Sequence, residues 1–111
     1  MFLSSKRPIT RLHGLKENVA KLPSASGVKR ISFGNKHVIE PMPGKMASVS
    51  IYSYLASKHG VINKEAAEEG LRLYDEVVVD ARNHPGSHPN IDLLLNVLSS
   101  GQDLSISVER D

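Results

Sequence analysis

The residues best suited to chemistry lie together in one polar segment of the C-terminal half. The segment 80–92 reads DARNHPGSHPNID and places Asp80, His84, His88 and Asp92 at intervals of four. Imidazole nitrogens and carboxylate oxygens are ligands of zinc, iron, nickel and manganese. Histidine also titrates near neutral pH, where it serves as an acid or a base. The segment would therefore suit metal binding, ligand binding or proton transfer.

Two prolines weaken the argument from spacing. Residues four apart share one face of a helix, but Pro85 and Pro89 interrupt any helix through this segment. We therefore predict a turn over HPGSHP, with Asn90 as the N-cap of the next helix and Asp92 in its first turn.

Two interpretations of the segment stay open at this level. In the structural one, His84 complements the dipole at the end of one helix, and His88 bonds a backbone carbonyl. In the functional one, the turn gathers its polar side chains into a ligand-binding pocket. The candidate ligand-binding residues are then His84, His88, Asn90, Asp92 and Asp80. The sequence assigns no catalytic residue, no metal site and no cofactor.

Length and composition favour one small globular domain. The chain has 111 residues, of which 40% are hydrophobic, and it contains no cysteine. Disulfides, thiolate zinc sites and cysteine nucleophiles are therefore excluded, and we expect a cytoplasmic protein. No apolar run approaches the roughly 18 residues of a membrane helix, so we predict no membrane contact. The PGK of residues 43–45 and the serines of 48–57 match neither a phosphate loop nor a nucleophile elbow.

Charge is distributed unevenly along the chain. Residues 1–46 carry a net charge of +7, whereas residues 47–111 carry −5. The basic half could contact nucleic acid or another anionic partner, although Phe33 is its only aromatic residue between Lys6 and Lys36. Alternatively, the two halves face each other within one chain or across a dimer.

Hydrophobic periodicity predicts helices and strands in an alternating order. We expect a short helix over 10–22 and a hairpin around Gly34 and Asn35. Within 46–59 we expect a helix of about ten residues, with Ser48 as its cap and Gly60 after its end, for which a strand is the competing interpretation. A long helix is predicted from the cap Asn63 to Ala81, followed by a helix from Asn90 to Gly101 and a strand over 104–108.

These elements indicate an α+β fold. We predict a small antiparallel or mixed sheet of about three strands, with three to four helices packed on one side. Residues 1–9 are predicted to form a flexible N-terminal arm, and residues 10–111 a single domain.

Residues 43–108 resemble a family of short bacterial proteins known only as a domain of unknown function. The resemblance is carried by Pro43-Gly44, by Glu69-Gly70-Leu71, by Asp80-Ala81-Arg82 and above all by the HPNIDLL run of residues 88–94. It implies a bacterial, cytoplasmic protein and assigns no activity, cofactor or site residue.

The function that we expect from these features is a non-enzymatic binding or regulatory module that self-associates, most simply as a homodimer. The motivation is the uneven charge and the apolar run Val77–Val79, which widens the apolar face of its helix. A small enzyme or a metal- or ligand-binding protein that uses the Asp80–Asp92 turn is the alternative. Nucleic-acid binding through the basic N-terminal half is the second alternative.

Overall fold

The structure, a computed structural model, describes residues 14–111. In chain order the described elements are α1 (Leu15–Ala20), β1 (Val28–Phe33), β2 (Val38–Ile39), α2 (Met46–His59), α3 (Lys64–Tyr74), α4 (Val77–Asn83), α5 (Pro89–Ser100) and β3 (Ile106–Arg110). The predicted arm over residues 1–9 and the predicted start of the first helix at residue 10 lie outside the described residues.

The three strands form one open antiparallel sheet in the order β2-β1-β3. Ile31 at the centre of β1 pairs with Ile39 on one side and with Val108 on the other. The predicted hairpin is confirmed, because β1 and β2 are joined through Gly34 and Asn35, and the Asn35 side chain accepts a hydrogen bond from the His37 amide at 3.0 Å. The α+β prediction is confirmed, and the sheet is antiparallel rather than mixed.

Helix α2 is the central element, because it packs against β1 and β3 as well as against α1 and α3. Its residues Val49, Ile51, Tyr52 and Leu55 are completely buried. The helical interpretation of this stretch is therefore confirmed, and the strand interpretation is wrong. Burial on several sides explains the ambiguity, since a helix that is apolar most of the way round lacks a clear helical stripe. The helix ends at Gly60, whose φ of 76° suits glycine, as predicted.

Gly70 allows α3 to approach its neighbours closely. A Cβ at this position would lie 2.7 Å from Cδ1 of Leu94 in α5 and 3.0 Å from Cδ1 of Leu55 in α2. Both leucines are fully buried and have little room to move. Gly70 therefore lowers the helix propensity of α3 but permits close packing of α2, α3 and α5.

The long helix predicted from Asn63 to Ala81 is wrong in one respect. The chain breaks after Tyr74, because Asp75 adopts a φ of 50°, and a second helix, α4, starts at Val77. With its ψ of −119°, this backbone matches the first central position of a type II′ turn, where glycine, asparagine and aspartate predominate. The apolar stripe is real, since Ala67, Tyr74 and Ala81 are all buried, but two helices share it. This break gives the described residues five helices where three to four were expected.

The described helices include none that is long and apolar enough to cross a membrane. The longest, α2, has 14 residues.

Candidate ligand-binding site

The structure brings three of the five candidate residues together on the surface of α4 and the following turn. Nε2 of His88 lies 2.6 Å from Oδ2 of Asp80, and Nε2 of His84 lies 3.8 Å from the other oxygen of the same carboxylate. His88 is the least exposed of the three, with 32% of its side chain accessible, against 56% for Asp80 and 68% for His84. His84 is the C-cap of α4, in agreement with its structural interpretation. His88 bonds a carboxylate rather than the predicted carbonyl.

The other two candidates point elsewhere. Oδ2 of Asp92 accepts a hydrogen bond from the Gly86 amide at 3.0 Å and so holds the turn against the first turn of α5. Oδ1 of Asn90 lies 2.7 Å from Nε2 of His37, on the side of the molecule that carries the hairpin. Consequently the five residues do not converge on one point.

The prediction that Asn90 caps α5 is wrong. The N-cap is His88, Pro89 occupies the first helical position, and Asn90 is the second residue of the helix, with 9% of its surface accessible. Proline favours the first position of a helix, because its fixed φ suits the helix and its missing N–H would have no partner there. In the sequence, this proline indicated only a break between two helices. In the structure it is the first residue of α5, so the helix begins two residues earlier than a cap at Asn90 would imply.

Among residues 14–111, no group of three or more His, Asp or Glu side chains is placed to hold a metal ion. The Asp80–His88 pair can instead orient an imidazole, because the carboxylate accepts a hydrogen bond from one ring nitrogen and fixes its direction.

A half-open cavity of about 240 Å³ lies beside His88. It is bounded by the start of α2, the junction of α3 and α4, the start of α5 and Leu15 of α1. Its polar lining consists of Lys45, Ser48, Tyr74, Ser87, His88 and Asn90. Two of the candidate residues, His88 and Asn90, therefore reach one site, although their polar contacts differ.

The wall of the cavity includes a buried pair of hydroxyl groups. Oγ of Ser48 and the phenol oxygen of Tyr74 are within hydrogen-bonding distance, and 8% and 3% of these residues is accessible. Burial raises the pKa of Tyr74, and the hydrogen bond with Ser48 only partly offsets this, so the phenol stays protonated. Ser48 was predicted to cap α2, but it lies in the third position of the helix, and Lys45 is the N-cap.

A second polar chain runs from the core to the hairpin. The Tyr52 hydroxyl donates to the backbone carbonyl of Asn90, whose side chain meets His37. Burial, and then the nearby Tyr74, raises the pKa of Tyr52 well above the ordinary value, so this phenol is a donor at any physiological pH. The Phe33 ring packs edge-on against Tyr52 at a centroid distance of 5.0 Å. These contacts fix the position of Asn90 at the edge of the cavity.

Sequence reasoning missed the polar residues of the cavity wall that lie outside the Asp80–Asp92 segment. In the sequence, Lys45 belongs to the PGK run, Ser48 is one of the serines of 48–57, and Tyr74 falls within the predicted long helix. No local pattern could have joined them, since Ser48 and Tyr74 are 26 positions apart and meet only because α2 packs on α3.

The basic half of the chain is partly neutralised in the structure. Nη1 of Arg30 lies 2.7 Å from a Glu109 oxygen, and its Nε lies 3.5 Å from Glu40. One pair therefore joins the two oppositely charged halves within a single chain, while Lys29, Lys36 and Lys45 remain exposed.

Fold and site together define a small α+β protein with a three-stranded antiparallel sheet, five described helices and a polar cavity between helix ends. The chain belongs to the family described as "Uncharacterized protein conserved in bacteria (DUF2322)", whose profile matches residues 15–108. The predicted resemblance is thereby confirmed, and it extends well upstream of residue 43. No curated protein and no solved structure shows significant similarity to the chain.

Proposed function

We propose that this protein is a non-enzymatic binding module of the bacterial cytoplasm that self-associates as a homodimer through the exposed surface of α4 and α5. The observation that carries the proposal is a wide, shallow groove along this surface, which is apolar along its length and bears one charge of each sign. Its lining comprises Arg82, Pro89, Asp92, Leu93, Leu95, Asn96, Leu98 and Ser99.

The apolar part of this α4–α5 surface exceeds what packing within the chain requires. Leu93, Leu95 and Leu98 are only partly buried against the core. Val79 is 63% exposed and lies three positions before Arg82, so the two residues share a face of α4. A second chain that covered these side chains would remove apolar surface from water, at roughly 25 cal/mol per Å².

The charges of the surface suit a second copy of the same chain. Arg82 makes no ion pair or hydrogen bond with the other described residues, and it lies in the groove together with Asp92. In a two-fold interface, residue i contacts residue j and j contacts i. An axis that passes between Arg82 and Asp92 would therefore set each arginine against the aspartate of the other copy.

Sedimentation velocity over a concentration series from about 1 to 500 µM tests the proposal. We expect a reversible shift from monomer to dimer for the wild-type chain. Arg82→Glu would place two carboxylates together across the axis, and like charges in contact cost several kcal/mol, so this variant should stay monomeric.

Arg72→Glu is the matched control, because Arg72 is an exposed arginine on α3 that does not line the groove. It should dimerise like the wild type. A wild-type chain that remains monomeric at the highest concentration would refute self-association, and equal effects of the two charge reversals would refute the assigned surface.

A further inference from the structure

We propose that the cavity beside His88 binds a small organic anion, namely a carboxylate or phosphate group on a short apolar body. The oxyanion would accept hydrogen bonds from Lys45, from Asn90 and from the Ser48–Tyr74 hydroxyl pair. This inference concerns a different site from the α4–α5 surface, although Pro89 borders both, and it stands whether or not the chain dimerises.

The first observation that supports the proposal is that one hydroxyl hydrogen of the Ser48–Tyr74 pair makes no hydrogen bond. Each hydroxyl carries one O–H donor, and a hydrogen bond between two hydroxyls uses only one of the two hydrogens. Ser48 and Tyr74 have no other hydrogen-bond partner among the described residues. A buried donor without an acceptor costs about 1–3 kcal/mol, which an acceptor in the cavity would recover.

The Asn90 amide also has unused donors. Its oxygen faces His37, whereas its nitrogen makes no hydrogen bond within residues 14–111. Among the described residues no fully buried side-chain nitrogen or oxygen lacks a partner, so this nitrogen must be accessible from solvent or from the cavity. Lys45 adds a positive charge that pairs with no carboxylate in the described part of the chain.

The charges around the cavity also favour an anionic ligand. Neither Asp nor Glu occurs among the described residues that line it, although the Asp80 carboxylate contacts the lining residue His88. The first amide groups of α2 start beside the same cavity, and a helix of 14 residues adds partial positive charge at that end.

The size and the remaining wall define the rest of the ligand. A volume of about 240 Å³ holds about eight water molecules at ~30 Å³ each. The apolar lining consists of Leu15, Ala47, Val77, Pro89 and Ile91. A ligand with about four carbon atoms, counting the carbon of a carboxyl group, would occupy this space and contact this wall.

NMR titration of the ¹⁵N-labelled chain at low ionic strength tests the site. Butyrate and inorganic phosphate are the anionic probes, and 1-butanol and butylamine are the neutral and cationic probes with the same number of carbon atoms. We expect saturable amide shifts around residues 45–48, 74 and 87–90 with butyrate, with a Kd on the order of 1 mM. Phosphate should bind more weakly if the apolar wall contributes, and butylamine should not bind.

Two variants locate the binding. Lys45→Met and the double substitution Ser48→Ala/Tyr74→Phe should each weaken butyrate binding about tenfold, because the first removes the charge and the second removes the unused hydroxyl donor that face the anion. Lys64→Met is the control, since Lys64 is an exposed lysine at the start of α3 and is not part of the wall. It should leave the Kd unchanged.

Several results would overturn the proposal. One is the absence of saturable shifts with either anion, and another is equal binding of butyrate and 1-butanol. Equal Kd values in Lys45→Met and Lys64→Met would also refute it, and because both substitutions are at exposed positions, misfolding should not obscure the comparison.

Discussion

The polar side chains at the two ends of helix α2 differ in how fully they are hydrogen-bonded. At the C-terminal end, the Glu69 carboxylate of α3 accepts hydrogen bonds from the Tyr54 hydroxyl at 2.6 Å, from His59 at 2.9 Å and from Lys58 at 3.1 Å. At the N-terminal end, Ser48 and Tyr74 share a single hydrogen bond beside a cavity.

The difference separates a structural cluster from a candidate site. Burial opposes ionisation of Glu69, but the hydrogen bonds from Tyr54, His59 and Lys58 outweigh it and lower its pKa to about 2. A carboxylate that already accepts hydrogen bonds from three side chains has few acceptor sites left for a ligand. Donors without acceptors, such as those at the other end of α2, are instead available for binding.

The largest effect in this comparison is expected from Glu69→Ala. The substitution removes the acceptor of three donors, and hydrogen bonds to charged groups contribute about 1.5–3 kcal/mol each at most. We expect a loss of about 2–3 kcal/mol in the free energy of unfolding, measured by urea denaturation. Glu68→Ala, at the exposed neighbouring position, should change it by less than about 0.5 kcal/mol. Similar losses in both variants would contradict a structural role that is specific to Glu69.

Acid should remove part of the same stabilisation. The pKa of Glu69 falls from 4.5 to about 2 in the folded chain, so its contribution is complete above pH 4.5 and is lost as the pH falls towards 2. Unfolding measured from pH 6 to pH 2.5 should show wild type and Glu69→Gln converging as the pH falls. A constant difference across this range would mean that the charge of Glu69 is not what stabilises the cluster.

The smallest effect is expected at the other end of the helix. Tyr74→Phe removes a neutral hydrogen bond, at a cost of about 0.5–1 kcal/mol, and leaves the Ser48 hydroxyl free to turn towards the cavity. Tyr54→Phe removes a donor from a carboxylate and should cost more, about 1.5–2 kcal/mol. Thermal denaturation of the two variants in parallel measures the difference. If Tyr74→Phe proved the more harmful, the hydroxyl pair would be a structural element like the Glu69 cluster.

Much of the fold was predictable from local patterns. The Gly34-Asn35 hairpin, Gly60 and Gly101 as helix ends, and Asn63 as a cap all express preferences of single residues for particular backbone conformations. The break at Asp75 was not predictable in this way, because the apolar stripe continues through it and only packing of α4 as a separate helix requires the turn.

The site was predictable only in part. The Asp80–Asp92 segment contributes His88 and Asn90 to the cavity, but the even spacing of its acidic and imidazole residues brings no metal-binding group together among the described residues. The remaining polar wall comes from the starts and ends of other helices, which tertiary packing alone brings close.

The order of the strands has a consequence for how fast the chain folds. The central strand β1 pairs with β2 next to it, over only two residues, and with β3 at the far end of the chain, where Ile31 meets Val108. Closing so long a loop costs conformational entropy before any ladder bond forms, whereas consecutive helices meet through local contacts. We therefore expect the helical layer to assemble first, and the docking of β3 on β1 to limit the folding rate.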